Sequence, residues 1–191
     1  MTIDIHTHHY RPDSPQVQVL NLRLPPDFSA ALMPPPADNL RLSAGIHPWD
    51  AALFSPSPQL RGRLMTLCRD ERIVYVGEIG LDKSCRASLP AQMELFRLQL
   101  SVADELKKPV ILHCVRAMQE IIALKADYPS VPEWIVHGFR GHALQARQWL
   151  SKGFHLSFGV RYDPEAFAVC PPACRYRETD EESMKEEVAL R

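Results

Sequence analysis

Short apolar runs alternate with amphipathic segments along most of this chain. Eight runs read as strands: residues 2–8, 16–22, 42–46, 73–77, 109–112, 134–136, 154–158 and a weaker 174–178. The run Ile73-Val74-Tyr75-Val76-Gly77 is almost continuously apolar, the mark of a strand buried on both faces. Helical spacing appears over 59–71, with Leu60, Leu64 and Leu67 on one face, and over 88–107, with Met93, Phe96, Leu100 and Ala103. Further helices are expected over 116–126 and 142–152, with two turns at 163–169 and a last amphipathic piece carrying Met184 and Val188. From the third strand onward, strands alternate with helices, which predicts a parallel sheet with crossover helices. Eight such strands predict an α/β fold of the (β/α)8 TIM-like barrel type, with an open doubly wound sheet as the alternative.

Proline shapes the first quarter. Of 17 prolines, most fall between Pro12 and Pro58, including Pro25-Pro26 and Pro34-Pro35-Pro36. Long helices are excluded there, so the barrel is expected to have reduced helices after strands 1 and 2. The Pro-rich link should then pack over the uncovered strands, or that face should serve self-association in a homo-oligomer. The 191 residues suit a single domain over 1–191, short for a barrel.

Composition narrows the function. With 46% hydrophobic residues a sizeable core forms, and a net charge of −1 argues against a globally basic nucleic-acid or membrane binder. No apolar run reaches the ~18 residues of a membrane span, and no signal peptide is visible. Five scattered cysteines fit reduced thiols, hence a cytoplasmic location.

The candidate chemistry lies where strands end. His6 and His8, two apart on a strand, point to one face and can share one ion. Glu78, His113, His137 and Asp180 end later strands, on the side where barrel enzymes keep their active sites. Four imidazoles and two carboxylates make a shell for two divalent ions, Zn²⁺ or Mn²⁺ more readily than Mg²⁺. Two ions can clamp a phosphoryl group from both sides. Arg116 and Arg140 follow ligand positions and can meet a phosphate.

These residues fall in motifs. Asp4-Ile5-His6-Thr7-His8, Gly45-Ile46-His47-Pro48, Gly77-Glu78-Ile79-Gly80-Leu81-Asp82, Pro109-Val110-Ile111-Leu112-His113-Cys114, His137-Gly138-Phe139-Arg140-Gly141 and Glu178-Thr179-Asp180 resemble the successive motifs of the TatD-related metal-dependent hydrolases, in family order. The resemblance implies a phosphodiesterase or deoxyribonuclease acting through a metal-activated water. It implies one ion on His6, His8, Glu78 and Asp180 and another on Glu78, His113 and His137, with His47 facing substrate. Asp180 and Glu78 would then be the catalytic carboxylates, and the substrate DNA or a small phosphoester. Two departures point to a short-form member, the proline-rich link and one extra residue between His113 and Arg116; a third is that the sequence stops about ten residues after Asp180. The rival readings are a small-molecule amide or ester hydrolase, and a non-catalytic degenerate barrel.

Overall fold

In a computed structural model of the chain, residues 3–180 are described; the amphipathic piece with Met184 and Val188 lies outside them. Eight strands, β1 (Ile3–Thr7), β2 (Val17–Arg23), β3 (Leu40–Gly45), β4 (Ile73–Asp82), β5 (Val110–Val115), β6 (Trp134–Val136), β7 (His155–Phe158) and β8 (Arg175–Arg177), pair in chain order. All pairs are parallel, and β8 returns to β1 through Asp4 and Arg177, closing the barrel. The open-sheet alternative is therefore excluded.

Helices α1 (Pro58–Cys68), α2 (Leu89–Leu106), α3 (Met118–Leu124), α4 (Ala143–Ser151) and α5 (Pro164–Val169) follow strands 3 to 7. Three of them start with an oxygen cap and a proline in the first turn: Ser57 accepts from the Leu60 N–H, Ser88 from Ala91 and Asp163 from Ala166. Helix α3 is shorter than its spacing predicts. Arg116 stands before it at φ 56°, and residues 125–127 tighten into a 3-10 turn. The strands β4 and β5 run longer than expected, so Glu78 and His113 lie within them rather than after them.

No regular α-helix follows β1 or β2. The segment after β1 is tied down by polar contacts instead. Gln18 is buried and exchanges hydrogen bonds with the Arg11 backbone, while Asn39 Nδ2 donates to the carbonyls of Pro12 and Ser14. The proline-rich link after β2 buries Leu24 and Phe28 in the same core as Leu40, Leu42, Leu64 and Leu67. Arg63 lies 4.3 Å over the Phe28 ring and donates to the carbonyls of Pro26 and Phe28. The link thus covers the outer wall where a helix would sit.

Inside the barrel, Ile5, Val19, Ile111 and Ile135 form a separate apolar plug, flanked by Ile3, Val74, Tyr75 and Tyr176. No helix among the described residues is long and apolar enough to cross a membrane.

Candidate metal centre

Strand irregularities aim two of the key side chains. The β1–β2 register shifts between Asp4 and Thr7, and the β4–β5 register shifts between Val76 and Ile79. Bulges of this kind re-aim side chains near sites. Ile5 therefore joins the plug while the adjacent His6 still reaches the mouth, where its Nε2 lies 3.6 Å from Glu78 Oε2. Simple two-residue alternation does not describe this strand.

Glu78 is the hub. Its Oε1 lies 2.6 Å from both His113 Nδ1 and His137 Nε2, and 3.2 Å from His47 Nε2. Asp180 Oδ1 lies 3.7 Å from His6 Nε2 and 3.6 Å from His8 Nε2. All six expected ligands therefore meet at one mouth, and His47 joins them.

Asp180 is held by backbone. Its N–H donates to the His6 carbonyl at 2.9 Å, its own carbonyl accepts from the His8 N–H at 3.1 Å, and its φ is 53°. A non-glycine residue in the left-handed region persists only where neighbours hold it. The preceding Thr179 helps, since both its N–H and its hydroxyl donate to the buried Asp4 carboxylate.

The electrostatics suit a cation. Burial lowers the His6 pKa to about 3, so its ring is neutral and its lone pair is available. Both His6 ring nitrogens are buried without a hydrogen-bond partner, an arrangement that costs free energy unless another group bonds them. Burial opposes charge on Glu78 and on His137. The surrounding imidazoles nevertheless hold Glu78 well below the usual carboxylate range, and Glu78 with Glu178 holds His137 well above the usual histidine range. A proton thus balances the carboxylate where a divalent ion would displace it. The donor set fits such an ion: His6–His8–Asp180, His6–Glu78–His137 and His47–Glu78–His113 each bring three ligand atoms within 4.8 Å of one another. Burial raises the Asp180 pKa, which strengthens it as a proton acceptor.

Several supporting residues were not singled out from sequence. Asn21 Oδ1 accepts from the Glu78 N–H at 2.9 Å and from Ser43 Oγ at 3.1 Å. Asp82 Oδ2 faces His113 Nε2 at 3.2 Å and accepts from Trp49 Nε1 at 2.6 Å. Buried Glu178 accepts from the Gly138 N–H at 2.6 Å and lies 3.6 Å from His137 Nδ1. Glu178 and Asp82 were visible inside motifs; Asn21, on an ordinary strand, carried no signal. Beside the mouth opens a cavity of about 530 Å³, bounded by His137, Arg116, Arg140, Gln148 and Trp149. Both expected phosphate-facing arginines are therefore brought to one pocket.

The comparisons with known proteins agree with this fold. The structure resembles the crystal structure of a TatD homolog from Escherichia coli K12, with a TM-score of 0.75 and 24% identity, covering 91% of this chain and 76% of that one. It also resembles a TatD-family hydrolase from Entamoeba histolytica, with a TM-score of 0.67 and 17% identity, covering 93% and 72%. In sequence, the chain is 35% identical over 116 residues to the 3'-5' ssDNA/RNA exonuclease TatD of Cronobacter sakazakii, and 37% identical over 116 residues to that of Edwardsiella piscicida. Each match spans 60% of this chain but only 43% and 44% of those relatives. The family profile described as TatD related DNase covers residues 30–180, from the link after β2 to Asp180. On that match, carried by the barrel beneath it, the chain belongs to the TatD-related DNase family.

Proposed function

We propose that this protein is a divalent-metal-dependent phosphodiesterase acting on single-stranded nucleic acid. The observation that carries this reading is the convergence of His6, His8, Glu78, His113, His137 and Asp180 on one mouth, with both ring nitrogens of His6 buried and without a hydrogen-bond partner. The relatives named as 3'-5' ssDNA/RNA exonucleases support the substrate class.

In this reading His6, His8, Glu78 and Asp180 would hold one ion, and Glu78, His113 and His137 would hold the other. The imidazole-rich set favours Zn²⁺ or Mn²⁺ over Mg²⁺. Bound ions would acidify a water and neutralise phosphate charge. Asp180, made more basic by burial, takes the proton of the attacking water. His47 Nδ1 accepts from the Trp49 N–H, which leaves its Nε2 facing the mouth beside Glu78 Oε1. Arg116 and Arg140 hold phosphate oxygens from the side cavity.

The test is hydrolysis of a single-stranded oligonucleotide by metal-stripped and Mn²⁺- or Zn²⁺-loaded protein. Loading should switch on phosphodiester cleavage, and Asp180→Asn should lower kcat by at least ~100-fold with an unchanged circular dichroism spectrum. Wild-type turnover by Asp180→Asn would remove Asp180 from the mechanism. Cleavage of amide or carboxyl-ester substrates alone would replace the substrate class.

A further inference from the structure

We infer that Trp49 is the platform on which a nucleobase stacks beside the scissile phosphate. This rests on the nucleic-acid reading above and adds a subsite to it.

Three observations carry it. First, Trp49 is 54% exposed, whereas the other two tryptophans, Trp134 and Trp149, are buried at 1% and 2%. Exposing an indole at the rim of a polar mouth forgoes its burial free energy unless a ligand covers it. Second, the ring is fixed. Its Nε1 donates to Asp82 Oδ2 at 2.6 Å, its backbone N–H donates to His47 Nδ1 at 3.2 Å, and the Arg23 guanidinium lies 5.7 Å from the ring centroid, tied to Asp50 by two hydrogen bonds. A ring held in place before binding loses little rotamer entropy when a base lands on it. Third, its position suits a substrate on the centre. Its centroid is 4.7 Å from His47 and 5.9 Å from His113, and Asp82 joins the indole directly to His113 Nε2. A base on this ring stands one aromatic ring from the ligand set, about the reach between a base and its own phosphate.

The chemistry recognised is a flat π-face, so purines and pyrimidines both qualify. Stacking of this kind is sequence-tolerant and strengthens binding without a dense basic surface. That matches a chain whose net charge is −1.

Tryptophan fluorescence tests it, because acrylamide-quenchable emission comes from Trp49. The metal-loaded protein is titrated with phosphorothioate-linked oligo-dT, which resists cleavage, and with an abasic strand of the same length. Binding is followed independently by anisotropy of end-labelled strand. Oligo-dT should shield Trp49 from acrylamide and the abasic strand should not. Trp49→Ala should bind oligo-dT about tenfold more weakly, while Trp49→Phe, which keeps a ring but loses the N–H to Asp82, should bind close to wild type.

Strand binding without shielding, equal shielding by the abasic strand, or equal losses in Trp49→Phe and Trp49→Ala would overturn the platform and leave the nuclease reading standing. Shielding that grows with protein concentration in the absence of strand would assign Trp49 to a contact between copies and overturn it as well. Absence of any strand binding would overturn both readings.

Discussion

Asn21 does for Glu78 what a motif search does not reveal. Its side-chain oxygen fixes the Glu78 backbone and is itself steadied by Ser43. Supporting groups of this type tune ligand affinity by roughly 10–100-fold. Asn21→Ala should therefore weaken Mn²⁺ or Zn²⁺ binding by about that factor in a calorimetric titration, with retained fold; unchanged affinity would show that Glu78 is positioned by its strand alone. Thiol chemistry gives a second prediction at this scale. Burial pushes the Cys68 thiol up to about 12 and Cys170 up to about 11. Raised values mean less thiolate at pH 8 than in an unfolded chain, and reactivity climbing with pH until those values are reached. Iodoacetamide at pH 8, read by peptide mass spectrometry, should label both rapidly in urea and barely in native protein. Rapid native labelling would contradict their burial. At the residue scale the sequence displayed the metal-ligating types plainly, because His and carboxylate at strand ends are unusual. It hid Asn21, since an amide on a strand is ordinary until its partner is known.

At the scale of elements, helix α2 clamps two strands to the site. Buried Gln99 accepts from the Ile46 N–H at 2.7 Å and donates to the Ile46 carbonyl at 3.0 Å, next to His47. Buried Gln92 does the same for Asp82, at 2.7 and 2.9 Å. These glutamines, one heptad apart on the apolar face, keep the ends of β3 and β4 satisfied where the ladder stops. Gln99→Leu would orphan two backbone groups, and unfolding in urea should show a loss of about 2–4 kcal/mol; a loss under 1 kcal/mol would mean water replaces the clamp. The helical period was readable around α2 because Phe96, Leu100 and Ala103 recur on one face. The true span of β4 was not. Its glycines end the apolar run, yet Gly80, at φ 143°, continues the ladder in a place where a Cβ would collide with the His113 carbonyl. The register shifts in β1 and β4 were also invisible, because alternation alone cannot reveal a bulge.

The whole molecule is a barrel in which the ends of several strands deliver one site. Its topology was legible since strand and helix periods alternate from β3 to β8, and parallel neighbours in chain order then close naturally. The cover over β2 was legible as an absence of helix that the proline-rich link was expected to fill; which side chains fill it, Leu24 and Phe28 held by Arg63, follows from packing that prolines do not encode. Because the ligands come from β1, β4 and β5, from the residue after β6 and from the segment after β8, an ion at the mouth ties distant segments of chain together. Binding to the folded state alone at a free concentration 1,000 times the dissociation constant stabilises by about 4 kcal/mol. Excess Mn²⁺ or Zn²⁺ should therefore raise the melting temperature by several degrees, and the increase should largely vanish in Glu78→Ala, which removes the ligand common to both ions. The most direct measurement is the metal-to-protein ratio by elemental analysis after dialysis against Zn²⁺ or Mn²⁺. The account predicts a ratio close to two for the wild type and close to one for His6→Ala/His8→Ala; protein that retains no metal, or a double variant that retains as much as the wild type, would contradict it.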